Sequence, residues 1–202
     1  ERLPKESVIV YTSSQEGSKP FDSAWSKDFG VEVIRDRSKI LLPSFRVSRN
    51  IQTLIKERDI ATVFFGAAAP LGLLAQGARR AGAKRVVAIT HGHEVWWAKL
   101  WPFSSAIKRI GENVDALTYL GEYTRSAIAK ALTTGSQKKL IRLAPGIDTE
   151  HFSPSKKSPR IRLELGLEGK KVIVSVGRLV HRKGQDILIQ AMPAVLKSHP
   201  SA

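Results

Sequence analysis

There is no cysteine among the 202 residues of this sequence. That excludes disulfides, thiolate zinc sites and a cysteine nucleophile, and it is compatible with a reducing cytosol. No apolar run approaches the roughly 18 residues that a membrane-spanning helix needs. The opening Glu1-Arg2-Leu3-Pro4 is polar, and no apolar stretch of the kind a secretion signal carries follows it. Several catalytic signatures are missing. The sequence has no G-x-x-x-x-G-K-[ST] loop, no G-x-G-x-x-G loop, no H-E-x-x-H helix and no G-x-S-x-G elbow. Zinc-finger spacing, the aromatic pattern of RNA-recognition motifs and internal repeats are absent as well. Acidic residues are scarce: 18 Asp and Glu stand against 33 Lys and Arg, a formal net charge of +15. The sequence pI near 10.3 predicts a polyanionic partner, which is nucleic acid, an anionic membrane surface or a phosphorylated substrate. Charge alone does not choose among them.

What is present points to a folded α/β protein. Hydrophobic residues make up 42%, enough for a core. Short apolar runs at 7–12, 31–35, 61–65, 84–90, 115–120 and 139–143 read as strands. Helical spacing recurs between them at 47–58, 71–81, 104–113 and 124–132, with Pro70 placed to open the second of these. The polar stretch 15–28 reads as loop. Strands alternating with helices predict a doubly wound parallel sheet with ligands at the carboxyl ends of its strands. A segment rich in Ser, Pro and Lys at 149–159 marks a boundary, giving domains at 1–152 and 153–202. The second domain holds a β-branched run at 171–176, read as a buried strand, and a helix at 186–197.

The loop between those two elements is the most informative stretch. It reads Ser-Val-Gly-Arg-Leu-Val-His-Arg-Lys-Gly-Gln from Ser175 to Gln185, with Gly177 and Gly184 near its ends and Arg178, Arg182 and Lys183 inside. Backbone N–H groups, a helix N-terminus, an arginine fork and a lysine charge together make a diphosphate cradle. A solvated basic turn is the simpler reading of the same residues. Gly177-Arg178-Leu179-Val180 followed by Arg182-Lys183-Gly184 resembles the donor-phosphate loop of retaining glycosyltransferases of family 4, which have the GT-B fold of two Rossmann-like domains. The resemblance extends to Pro145-Gly146-Ile147-Asp148 with Phe152 and Pro154, and to the 91–94 run. It implies that Arg178 and Lys183 hold the diphosphate of a nucleotide-sugar, supported by Gly177, Arg182 and Gly184.

His91-Gly92-His93-Glu94 follows a predicted buried strand, where open α/β sheets place their sites. A pair of surface histidines is the plain alternative, and no zinc spacing surrounds them. In the resembling family a histidine at this strand end lies beside the donor sugar. His91 matches it best and His93 second, as the catalytic residues that the resemblance implies. Further on, Trp96, Trp97 and Trp101, three of the four tryptophans, fall close together with Lys99 among them and Lys108 and Arg109 beyond. They read either as core aromatics or as an interfacial membrane anchor. Arg35 and Arg37, in a basic stretch that runs to Arg46 with Leu41, Leu42 and Pro43 between, read as a charged turn or as a contact for a phosphoinositide headgroup.

Within family 4, the runs Phe65-Gly66-Ala67-Ala68-Ala69-Pro70-Leu71, 90–94 and Leu117-Thr118-Tyr119 resemble the mannosyltransferases that act on phosphatidylinositol mannosides. That resemblance implies GDP-mannose as donor, a phosphoinositide-type lipid acceptor, retention of configuration and no metal or other cofactor. It also implies peripheral association with the inner face of the cell membrane, and no nucleic-acid partner is expected. Two departures are visible. The family's first strand with its glycine-rich loop, and its glutamate pair in the second domain, have no counterpart here, so a catalytically incomplete piece is expected. Two alternatives come from the same residues: a family 4 enzyme with another nucleotide-sugar and a soluble acceptor, and a basic α/β nucleic-acid-binding module, which would bind random duplex DNA with a steep salt dependence.

Overall fold

A computed structural model describes residue 4 and residues 6–154 and 159–200. The middle of the expected boundary segment, 155–158, lies outside the described residues. The chain divides into two compact units, Glu1–Pro145 and Gly146–Ala202.

The first unit alternates strand and helix. Its order is β1 (Ile9–Ser13), α1 (Ser18–Phe29), β2 (Glu32–Asp36), α2 (Phe45–Glu57), β3 (Thr62–Phe65), a 3₁₀ turn (Leu71–Leu74) running into α3 (Ala75–Arg80), and β4 (Arg85–Ile89). Then follow α4 (Glu94–Lys99), α5 (Phe103–Asn113), β5 (Ala116–Tyr119), α6 (Glu122–Ala129), α7 (Thr134–Gln137) and β6 (Leu140–Arg142). All pairings are parallel. They form two sheets, β1-β2 and β3-β4-β5-β6, rather than one continuous sheet. Among the described residues no strand pairs the open edge of β1 or of β3.

Local chemistry accounts for the elements. Val86, Val87 and Ala88 of β4 are all buried, the continuous apolar signature of a parallel strand covered on both faces. Helix α2 starts where the Ser44 side chain accepts from the Val47 N–H, and it buries Val47 and Ile55, which lie about two turns apart on one face. The core joins these residues to Phe65, Ala75, Ala78, Ile107, Ile110, Leu117 and Ile128.

Three expectations are corrected. Residues 18–29 form a helix, not a loop: Phe21, Trp25 and Phe29 stack at successive centroid distances of 5.3 Å, and Gly30 at φ 65° closes the helix in the left-handed region. Pro20 lies in the first turn, where its missing N–H has no intrahelical acceptor to lose. The segment 71–81 opens as a 3₁₀ turn instead of a regular helix. In the second unit, 171–176 does not form a strand, and Val176 is 91% exposed. A strand exists only as half of a pair, and among the described residues of this unit none pairs with it. The unit's helices are α8 (Pro159–Glu164) and α9 (Gln185–Ser198), with a 3₁₀ turn (His181–Lys183) before the latter.

Candidate active site

The carboxyl ends of β3 and β4 carry two loops that hydrogen-bond to each other. His91 follows β4, and its Nε2 lies 2.6 Å from the Gly66 carbonyl after β3. A carbonyl only accepts, so Nε2 carries the proton, and in the neutral ring Nδ1 keeps its lone pair. Below it Thr90 is fully buried, with its hydroxyl donating to the Thr118 carbonyl at 2.6 Å. His93 places Nε2 3.4 Å from the Ala69 carbonyl and 3.4 Å from Oε1 of Glu94. Glu94 is 0% exposed, and its Oε2 accepts from the backbone N–H groups of His91 at 3.0 Å and Gly92 at 3.1 Å. Gly92 adopts φ 94°, a turn that favours glycine. The structure therefore brings His91 and His93 into one loop, both exposed, with a buried carboxylate beneath them.

A second constellation lies at the carboxyl ends of β1 and β2. Asp36 is 3% exposed and accepts from both terminal nitrogens of Arg46, from the Ser38 amide and hydroxyl, and from the Tyr11 hydroxyl. The Arg46 guanidinium outweighs the cost of burial, and with Ser38 and Tyr11 it holds the Asp36 carboxyl far below the usual carboxylate range. Burial, then the bond to Asp36, raises the Tyr11 hydroxyl above its ordinary value. Tyr11, Asp36 and Arg46 border an open cleft of about 620 Å³ that Arg37, Arg49 and Asn50 also line. Arg35 turns away from solvent duty: it forks onto Asp22 at 2.9 and 2.6 Å and donates to the Ser13 carbonyl at 2.8 Å. Arg37 and Arg49 are exposed and have no side-chain partner among the described residues.

The three clustered tryptophans separate by environment. Trp97 packs on the core and meets Phe103 at a centroid distance of 4.9 Å. Trp96 and Trp101 are 68% and 83% exposed, and Lys99 Nζ lies 5.5 Å from the Trp96 ring. Among the described residues no helix is long and apolar enough to cross a membrane.

In the second unit the basic loop is shaped by its glycines. Gly184 at φ 68° ends the 3₁₀ turn and caps the N-terminus of α9. The Lys183 stem passes over Gly177, where an added Cβ would meet it at 3.8 Å. Gln185 donates to the Arg178 carbonyl at 3.3 Å, tying the loop to the first turn of α9. Arg178, Arg182 and Lys183 are exposed and without a side-chain partner among the described residues, so three cations stand at the positive end of a helix.

Solved structures share this fold. The Anabaena protein Alr3699/HepE in complex with UDP superimposes with a TM-score of 0.64, at 16% identity, over 92% of this chain and 57% of its own. Its complex with UDP and glucose gives 0.61 at 15% identity, with the same coverage. The fold is that of GT-B glycosyltransferases. The model of Glycosyltransferase Family 4 matches residues 1–151, and the chain belongs to that family.

Among curated relatives, the GDP-mannose-dependent alpha-(1-6)-phosphatidylinositol monomannoside mannosyltransferase of Mycolicibacterium smegmatis is 43% identical over 194 residues, 96% of this chain and 50% of its own. The protein of the same name from Mycobacterium tuberculosis H37Rv is 44% identical over 192 residues, 93% of this chain and 48% of its own. A GDP-mannose-dependent monoacylated alpha-(1-6)-phosphatidylinositol monomannoside mannosyltransferase of Corynebacterium glutamicum is 40% identical over 200 residues, 98% of this chain and 51% of its own. The chain thus spans about half the length of these relatives.

The local pattern gave no sign of Tyr11 or Asp36, and Arg46, expected as part of a charged turn or headgroup contact, is instead committed to Asp36; these partners lie 25 and 10 residues apart in the chain. It also gave no role to Glu94. Its position at the end of a His-Gly-His run was the available signal, since a carboxylate there can fold back on the preceding amides.

Proposed function

We propose that the protein to which this chain belongs transfers mannose, with retention and without a metal, from GDP-mannose to a phosphatidylinositol mannoside at an anionic membrane surface on the cytoplasmic side. The observation that carries this reading is the 40–44% identity, along nearly the whole chain, to mannosyltransferases of that description. The geometry supports the roles. Arg178 and Lys183 offer unpaired charge to the donor diphosphate at a helix N-terminus, with Arg182, Gly177 and Gly184 shaping the loop. In its neutral form, with Nε2–H donating to the Gly66 carbonyl, His91 offers Nδ1 to accept from a sugar hydroxyl and orient the reacting ring, with His93 beside it. Arg37 and the cleft around Tyr11 suit an acidic headgroup, Arg35 braces that region through Asp22, and Trp96 and Trp101 suit the lipid interface. Trp97 supports them from the core.

The test uses the full-length protein with vesicles that contain phosphatidylinositol monomannoside and radiolabelled GDP-mannose. Label should enter the lipid, and EDTA should leave the rate unchanged. Transfer from a UDP-sugar to a water-soluble acceptor, with none from GDP-mannose, would overturn the reading.

A further inference from the structure

Glu94 is an unusual residue to find where it is. Its side chain is 0% exposed, and isolated buried carboxylates are costly. Among the described residues no lysine or arginine pairs with it, and the His93 Nε2 lies 3.4 Å from its Oε1. One oxygen, Oε2, accepts two backbone amides in succession, those of His91 and Gly92. The other, Oε1, is buried and makes no hydrogen bond among the described residues. The loop that it holds turns at Gly92, whose φ of 94° suits glycine, and Val95 just beyond is buried.

The geometry points to Glu94 as the positioning residue of His91, an inference that rests on the reading of His91 as the group that orients the sugar. The carboxylate fixes the His91 amide, which sets the direction of the Cα–Cβ bond. That direction carries the ring to the Gly66 carbonyl, 2.6 Å from Nε2. The carbonyl takes the Nε2 proton as its partner, and Nδ1 is left as an acceptor on the exposed side of the ring. Glu94 is buried and touches no substrate. It acts through the backbone, and what it supplies is reach and two acceptor bonds rather than proton transfer.

Two substitutions at Glu94 separate the backbone bonds from the charge. In Glu94→Gln the amide oxygen can occupy the place of Oε2 and keep both backbone bonds, while the NH₂ takes the place of Oε1. In Glu94→Asp the charge stays but the carboxylate retreats by about 1.5 Å, one C–C bond. The distances of 3.0 and 3.1 Å then stretch beyond hydrogen-bonding range.

The experiment uses the full-length protein with GDP-mannose and the vesicle acceptor, and follows kcat, donor Kd and the ring ¹⁵N shifts of His91. Glu94→Ala and Glu94→Asp should each lower kcat by about 100-fold, the usual effect of misplacing a reacting group by an ångström, with donor Kd nearly unchanged. Both should also lose the Nε2–H signature of the His91 ring. Glu94→Gln should stay within about fivefold of the parent, because neutral bonds are weaker than charge-assisted ones but still present. Adding Glu94→Ala to His91→Ala should cost no further kcat, as expected when one residue acts only through the other.

A Glu94→Gln variant no better than Glu94→Asp overturns the inference, and this comparison stands if Glu94→Ala does not fold. Unchanged ¹⁵N shifts in Glu94→Asp overturn it too. If His91→Ala alone leaves kcat intact, the role of His91 fails, while the ¹⁵N arm still reports whether Glu94 positions the ring.

Discussion

Single residues in this chain act mainly through charge held at defined places. Arg178 and Lys183 are exposed cations at the start of α9 with no competing partner among the described residues. Replacing either by Ala in the full-length protein should remove charge-assisted phosphate bonds of about 1.5–3 kcal/mol and weaken donor binding tenfold or more. Titration calorimetry with GDP-mannose checks this, and unchanged affinity in both variants would remove the loop from the donor site. Asp36 is the opposite case, a buried anion with every oxygen engaged. Its folded pKa lies below the unfolded value of about 3.9, so the folded state binds fewer protons. The stability it contributes is therefore complete above about pH 4 and is lost as pH falls further. Asp36→Asn should lower stability by about 2–3 kcal/mol at pH 7, the scale for breaking a buried charged contact, and the two proteins should converge in acid. The variant will keep some acid sensitivity. Arg35 also depresses Asp22, and the Val86 amide and Arg79 depress Asp115 against the effect of burial. Urea denaturation at pH 7 and pH 3 measures both effects, and an equal gap at the two values would contradict the linkage.

At the scale of elements, packing decides what a local rule would get wrong. Glycine inside a helix usually costs about 1 kcal/mol relative to alanine. Gly111 lies within α5, yet a Cβ there would stand 2.5 Å from Leu132 Cδ2 and 3.1 Å from Ser136 Cβ. Gly111→Ala should therefore destabilise by about 1–3 kcal/mol through overpacking, despite its better helix propensity. Gly135 in α7 has nothing within 4 Å of the same position, so Gly135→Ala should be neutral or slightly stabilising. Thermal melts of the two variants give the comparison, and equal shifts would mean that helix propensity, not the α5–α7 contact, sets the outcome. The same priority of context over pattern explains the elements that the sequence misled on. The polar residues of 15–28 obscured the Phe21, Trp25, Phe29 spacing that makes α1 a helix. The apolar run at 171–176 reads as a strand by composition, but strand character belongs to a pair, and its pairing cannot be read from one run. By contrast β4 and α2 were legible, since burial on both faces and on one face leaves distinct periodicities.

At the scale of the whole molecule, the proposed docking at a membrane surface rests on net charge and exposed aromatics. The chain carries +15, and Trp96 and Trp101 are exposed beside Lys99. Each Lys or Arg near an anionic leaflet adds only about 1 kcal/mol, and this term is screened over about 8 Å at physiological ionic strength. Stable docking then needs the indoles as well. In the full-length protein, Trp96→Ser with Trp101→Ser should leave the fold intact and abolish the part of vesicle co-sedimentation that survives high salt. Trp97→Ser should instead cost about 2–3 kcal/mol of stability, because that ring packs on the core. If the double variant sediments like the parent, the anchor is elsewhere, and the exposed Ile40, Leu42 and Phe45 beside Arg37 are the next place to look.

The sequence by itself determined the alternation of strands and helices, the basic character and the glycine-bounded cation loop at 177–184, because each is written within a few neighbouring residues. It also placed His91 and His93 at a strand end. Only the tertiary structure decided which polar groups meet. It committed Arg35 to Asp22, closed Asp36 on Arg46 and Tyr11, turned Glu94 back under His91, and set Trp97 inward while Trp96 and Trp101 face solvent. The physical reason is that burial and hydrogen bonding are satisfied between elements joined by long crossovers, and the register of those crossovers leaves no mark in local periodicity.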